Sequence, residues 1–462
     1  LGDRGNLQRR DIQAKYPGFA ELERQSVALR AKIQAEPLAI EDQDAQKEQT
    51  QRYDQLLKIS AAQELLLHDM AVQRVPADYS FPPLVAIRDM QAKLADQTLV
   101  LAYFNGSRGL YGFAITKEKY VAFKLESPAK LRADMADMLR RLGLRDRTQA
   151  IETKDLKDDS WMPIAARLLD ALSNGMKPEA WEKYREVVFV PDGPLWYCPF
   201  EMLPAGKNGE PLITKTRVRC VPTLGLAVPD NRPLKPASRT AVVAGRIYPR
   251  DELQVAAGAA DELGQVLAET TRLPNRLPGP SSLVAKFCDR LVVYHDMDDT
   301  DKGPYDWSPV QIDQKKPLSH LSSQMQLPWG GPSQVVYPGY HSLAEVGLKK
   351  GGPGDELFFS ICGQMANGTR TILLSRWRVG GQTSFDLTRE FVQELPHEPA
   401  SAAWQRSVML RMQAEIDPAR EPRLRLAAND EAIRAEHPFF WAGYLLVDTG
   451  VVPPREDAQA AK

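Results

Sequence analysis

The sequence predicts an α/β fold: a mainly parallel sheet flanked by helices, preceded by an N-terminal helical region and a small β meander. Three observations carry that prediction. From residue 186 onward short β-branched runs alternate with helical segments, the grammar of a parallel sheet covered on both faces. Between 98 and 125, three β-rich runs are separated by the turn-forming stretches NGSRG and TKEK. From about residue 18 to 75 a polar, Gln- and Glu-rich stretch carries apolar residues in steps of three and four.

The helical region comes first. Tyr53, Leu56, Leu57, Ala61, Leu65 and Val72 keep the 3.6-residue period, and a break near Pro37 divides the stretch into two helices able to form a hairpin. A solvated coiled extension is the alternative, since charges occupy much of the remaining face. The meander follows, then helical stretches near 128–142 and 161–174. The parallel-sheet runs are EVVFVPDG (186–193), TAVVAG (240–245), RLVVYHD (290–296), SQVVYPGYH (333–341), RTILLSRW (370–377) and WAGYLLVDTG (441–450). AADELGQVLAET (259–270) and GDELFFSICGQMANG (354–368) lie between them as helices, with two more at about 383–395 and 401–416. In the last, Trp404, Val408, Met409, Met412 and Ile416 form one core-facing stripe. Residues 297–332, rich in Pro, Asp, Lys and Gln without periodicity, read as a long loop.

A chain of 462 residues exceeds the roughly 250–300 that one core fills, so several domains are expected. The boundaries drawn are a helical region at 1–80, a small α+β lead-in at 81–185, the main α/β domain at 186–452 and a tail at 453–462. The 59 lysines and arginines nearly balance the 60 aspartates and glutamates, which argues against a nucleic-acid partner. No apolar run reaches the roughly 18 residues of a membrane span. The opening LGDRGNLQRR also lacks a signal-peptide core. The chain starts at Leu1, as an excerpt of a longer or processed protein would. The cytoplasm is favoured for the visible segment, with the compartment, the oligomeric state and whatever precedes Leu1 left open. The four cysteines show no CxxC pair and no metal-ligand spacing, and read as buried thiols.

In open parallel sheets a ligand crevice lies beyond the carboxyl ends of the strands. That rule nominates His295, Asp296, Asp298 and Asp299 after one run, Tyr340 and His341 after the next, and Arg376, Trp377 and Arg378 after a third. The cluster HDMDDTD offers carboxylates to a divalent cation but lacks the EF-hand spacing, so neither a metal nor a cofactor is expected. No phosphate-cradling glycine loop and no GxSxG elbow occurs. Cys362, in SICG, shares a helical face with Phe358 and Met365, which predicts a core thiol of raised pKa.

Four segments resemble, in order, those of the CHAT family (caspase and HetF associated with TPRs). VFVPDGPLWYCPFEMLP (188–204) is similar to its PDG and PFE segment, and GTRTILLSRWRV (368–379) to its SLW segment. HPFFWAGYLLVDTG (437–450) is similar to its HPxxWAAF ending, and LVAIRDMQAKLADQTLVLAYF (84–104) to the helix and strand leading in. No internal repeat stands for the TPR part of the name. The resemblance implies a caspase-like sheet, related to those of separases and gingipains. It also implies, in active members, a His base in an HLATHG segment and a Cys nucleophile in an LSACETG segment at adjacent strand ends.

Laid onto this chain, the first segment falls on HDMDD, so that His295 takes the non-catalytic histidine and Asp299 the base. The second falls on YPGYHSL, so that Tyr340 takes the nucleophile. A phenol of pKa about 10 does not replace a thiolate in peptide cleavage. The usually acidic run after SLW is here VGGQTS, with Gly380 and Gly381 in place of carboxylates. The resemblance therefore implies a pseudo-peptidase that binds a protein or peptide partner, with a crevice lined by Asp299, Tyr340, His341, Arg376, Trp377 and Arg378. An active cysteine endopeptidase using His295 and Cys362 in a shifted register is the alternative, and a metal-dependent hydrolase on the HDMDD cluster a third.

Overall fold

The computed structural model describes residues 16–38, 40, 42–72, 86–106, 109–125, 127–144, 150–231, 237–248, 250–273, 287–295, 331–340, 342, 344, 348, 354–366, 368–425 and 433–452. The chain opens with helices α1 (Pro17–Gln34) and α2 (Gln43–Val72). Pro17 starts α1 at a position where its missing N–H costs nothing, and the Asp42 carboxylate accepts the Ala45 N–H at the head of α2, 2.8 Å. The two pack as the predicted hairpin. Tyr53 and Leu56 are buried as their spacing predicts, whereas Leu65 is 70% exposed. The hairpin does not stand off as a solvated arm: Tyr53 stacks on Phe287 at 5.8 Å. The Arg239 guanidinium also donates to the carbonyls of Gln34 and Glu36 at 3.1 and 2.8 Å.

After helix α3 (Ile87–Lys93) the meander forms as β1 (Thr98–Gly106), β2 (Gly109–Ile115) and β3 (Tyr120–Lys124), all antiparallel. It belongs to a larger sheet. Helices α4 (Pro128–Arg141) and α5 (Met162–Leu172) lead to β4 (Glu186–Val190), which pairs in parallel with β1, and to β5 (Arg217–Cys220), parallel to β4. Then come β6 (Thr240–Ala244), α6 (Leu253–Val266), β7 (Thr270–Leu273), β8 (Arg290–Tyr294), β9 (Gln334–Tyr337), α7 (Asp355–Ala366), β10 (Thr371–Ser375), α8 (Gln382–Glu394), α9 (Ala400–Gln413) and β11 (Tyr444–Asp448). The eleven strands lie in the order β3-β2-β1-β4-β5-β11-β10-β9-β8-β6-β7.

Apart from the antiparallel meander at its edge, the sheet is two parallel halves joined back to back. β1, β4, β5 and β11 run one way. β10, β9, β8, β6 and β7 run the other. The seam is the antiparallel pair β10–β11, in register from Thr371↔Asp448 to Ser375↔Tyr444. Both faces are covered. In β1, Leu99, Leu101 and Tyr103 enter the large core, and Val100 and Ala102 the smaller one beneath α3. That is why the parallel runs read as continuous apolar stretches instead of alternating ones.

Several details differ from the sequence reading: β5 and β7 are strands it does not name, and α6 covers Leu253–Val266 where a helix at 259–270 is expected. Helix α9 stops at Gln413, and Ile416 belongs to a two-residue strand pairing with Ile433–Arg434. Met409, assigned to the buried stripe, is 38% exposed, because the α9 face against the sheet is set by Trp404 and Val408. The long loop expected at 297–332 lies almost wholly outside the described residues. Among the described residues no helix is long and apolar enough to cross a membrane.

Candidate functional site

The carboxyl ends of β6, β8, β9 and β10 emerge on one edge of the sheet. β6 contributes Gly245 to Tyr248 with Arg250 and Asp251, β8 contributes His295, β9 contributes Pro338 to Tyr340 and Ser342, and β10 contributes Arg376 to Gly381. A Cβ on Gly245 would meet the His295 imidazole at 2.6 Å, so the glycine is what lets the ring lie against this loop. Asp299 and His341 fall outside the described residues.

Tyr340 is 3% exposed. Its hydroxyl lies 3.4 Å from the Ser360 hydroxyl of α7, in the region where Tyr197 donates to Glu356 at 2.6 Å. The phenol is thus turned into the packing between the sheet and α7. The turn carrying it is fixed from β10, where Ser375 Oγ donates to the Pro338 carbonyl at 2.8 Å and also abuts the Tyr340 carbonyl. Ser342 Oγ donates to the Arg376 carbonyl and accepts the Ala344 N–H.

Of the expected crevice residues, Arg376 and Trp377 are buried. Arg376 is fully buried, and its guanidinium faces both Glu201 oxygens at 3.4 Å and donates to the Tyr444 carbonyl. Its backbone N–H donates to the Gly443 carbonyl at 2.7 Å. Burial pushes the Glu201 carboxyl up, and the Arg376 charge pulls it back. Trp377 is 2% exposed, with its indole nitrogen 3.0 Å from where a Cβ on Gly443 would sit. Both side chains therefore tie PFE, SRW and WAGY to one another at the seam. Of the three, Arg378 alone is partly exposed.

The VGGQTS turn adds a second arrangement. It has no carboxylate of its own, but two arrive from elsewhere. Asp251 accepts the N–H groups of Gly381 and Tyr248 at 2.9 and 2.7 Å. Glu421 accepts the N–H and hydroxyl of Thr383 at 2.7 and 2.6 Å. Together they cap the exposed N–H groups at the start of α8. Gly381 has φ +87°, and a Cβ there would lie 2.1 Å from a Glu421 oxygen. Burial pushes Glu421 up to about 8 against the pull of the Thr383 hydrogen bonds, with Asp251 and Asp386 adding repulsion. A small hollow of about 50 Å³ beside them is lined by Arg250, Glu252, Gln382, Phe385 and Arg420. Nothing in the local sequence signalled this corner, because its carboxylates lie 130 and 38 positions from the groups they bind.

All four cysteines are buried, and burial raises every thiol. Cys362, inside α7, is pushed up to about 11. Among the described residues no three histidine, cysteine or acidic side chains gather as a metal site. The HDMDD cluster past His295 lies outside the described residues.

The CHAT domain family model matches residues 154–310 and 363–449. No curated protein matches the sequence. Two crystal structures of the Saccharomyces cerevisiae separase–securin complex, at 3.0 and 2.6 Å resolution, are similar at 8% identity, with TM-scores of 0.47 and 0.46. The alignments cover 87% and 90% of this chain but 34% and 35% of the matched chains, so this chain spans little more than a third of their length.

Proposed function

The chain belongs to the CHAT domain family, and from that premise we propose that it is a pseudo-peptidase, a caspase-like domain kept as a protein-binding and regulatory module. One observation carries this reading: the strand end that would present the nucleophile carries Tyr340, and its phenol is buried against Ser360. Peptide cleavage of the family's type needs an ionised thiol beside an imidazole. The thiol nearest in sequence is Cys362, half a helix into α7, buried and with its pKa raised by that burial. Asp299, in the register implied by the family, stands for the base and would not form the imidazolium that stabilises a thiolate. The carboxylates near VGGQTS are occupied by backbone N–H groups and so are poorly placed to receive a basic peptide side chain.

The test is covalent labelling of the native chain with an arginyl acyloxymethyl ketone peptide, alongside hydrolysis of fluorogenic peptides. The expected result is no saturable labelling, and hydrolysis no faster than for Cys362→Ala. Stoichiometric labelling that disappears in Cys362→Ala would establish the active-peptidase reading instead.

A further inference from the structure

We propose that the open edge of the meander, strand β3 with the cleft beside it, binds an extended acidic segment of a partner protein as an added strand. The surface lies at the far end of the sheet from the strand-end corner, and the proposal does not rest on whether that corner reacts.

The sheet ends at β3, whose described main-chain partner is β2 alone. The phase of the ladder follows from two flanking bonds, Leu125 N–H to the Leu110 carbonyl at 2.9 Å and Thr116 N–H to the Lys119 carbonyl at 2.8 Å. Alternate residues of an antiparallel strand turn both main-chain groups toward the neighbour. Lys119, Val121, Phe123 and Leu125 therefore face β2, and Tyr120, Ala122 and Lys124 direct their N–H and C=O groups outward. None of those three has a main-chain partner on its outer side among the described residues.

Proteins usually blunt such an edge with charged side chains, lysine above all, or with a proline, a bulge or a covering segment, and of these β3 carries lysine. β3 has no proline, and its pairing with β2 is one-to-one from Tyr120 to Lys124, without a bulge. Its side chains are open too: Tyr120 is 58% and Val121 51% exposed. Across the strands Phe104, 59% exposed, pairs with Tyr111, which pairs with Lys124, so an aromatic row leads up to the edge.

Charge selects the occupant. Lys119, just before the strand, and Lys124, at its end, are exposed, with Glu118 before them and Glu126 following in the sequence. Beyond Lys124 the strand runs into a cleft of about 640 Å³ between α4 and α5, where Lys130 and Arg167 lie beside Asp134 and Asp170, so that the positive excess sits at the Lys124 end. Arg167 is partly balanced by Asp134 at 3.4 Å. Edge lysines facing edge lysines disfavour a second copy of this chain. The same lysines attract an acidic strand, whose main chain would satisfy Tyr120, Ala122 and Lys124 while its carboxylates meet Lys124 and Lys130.

The test uses the full chain and two fluorescein-labelled decapeptides, one alternating valine with glutamate and one alternating valine with lysine, read by fluorescence anisotropy. The acidic peptide is expected to bind saturably and at least about tenfold more tightly than the basic one. Ala122→Pro removes one outward N–H and leaves the β2 ladder intact, so it should abolish binding without shifting the melting temperature. Lys124→Glu with Lys130→Glu should reverse the preference, which keeps the test decisive if the proline variant folds poorly. Equal affinity for the two peptides, no saturable binding of either, or unchanged binding by Ala122→Pro would overturn the proposal. So would a concentration-dependent dimer in sedimentation that Ala122→Pro dissolves, since the edge would then belong to a second copy.

Discussion

The seam between the half-sheets and the corner at the strand ends are built on opposite plans. At the seam, segments distant in sequence converge on Arg376: Glu201 from PFE, Tyr444 from WAGYLL, and Arg376 itself from SRW. At the corner, the position expected to hold a reacting group carries a buried phenol, and the acids come from segments with no motif at all. The difference teaches that the recognisable words of this sequence describe how the sheet is assembled. They report the fold faithfully and are silent about chemistry, because the groups that hold the seam are not those that would cut a peptide.

The largest effect should come from the seam. Arg376→Met leaves the Glu201 carboxylate buried and unpaired, and should cost about 3–5 kcal/mol in urea unfolding. Adding Glu201→Gln should recover much of that loss. A cost below about 1 kcal/mol would break the comparison by making the seam ordinary.

An intermediate effect should separate the two regions by pH. Asp448, in the seam strand β11, is pushed up to about 6 by burial, against Arg219 and the hydrogen bonds from Thr371 and Gly450. Glu421, at the corner, is pushed up to about 8. A carboxyl whose folded pKa is raised keeps a proton that the unfolded chain releases near pH 4, so stability falls as pH rises through that window. The seam contribution should be lost between about pH 4 and 6, and the corner contribution should continue to about pH 8. Glu421→Gln should flatten a melting-temperature profile above about pH 6 and leave between about pH 4 and 6 only the shallower slope that Asp448 contributes.

The smallest effect belongs to the phenol itself. Tyr340→Phe removes a hydroxyl whose contact with Ser360 is long, 3.4 Å, and should change stability by less than about 1 kcal/mol. It should leave peptide hydrolysis where it was. A loss of hydrolytic activity in this variant would make the corner a working site and sharpen the comparison in the other direction.

The strands of the half-sheets were legible because burial on both faces forces unbroken β-branched runs, as in RLVVY and TILLS. The helical hairpin was legible from its period. Other features were not. Arg376 and Trp377 sit where a crevice rule puts ligands, and nothing local to SRW shows that Glu201 and Gly443 enclose them. Leu65 and Met409 follow the apolar period yet are exposed, since periodicity marks a face without fixing how far the covering partner extends. The caps of α8 depend on long-range contacts that no window of sequence contains.

One consequence of the strand order concerns how the molecule is made. β11 is the last strand of the sheet in sequence yet lies in its middle, between β5 and β10. During synthesis the two half-sheets can each form, but each keeps an unpaired inner edge until residues 444–448 have left the ribosome. A nascent chain stalled before that point would hold two sticky sheets and a buried-to-be arginine in water. Release of the final strand is therefore the step that turns two halves into one body, and a chaperone that shields strand edges would have its work concentrated there.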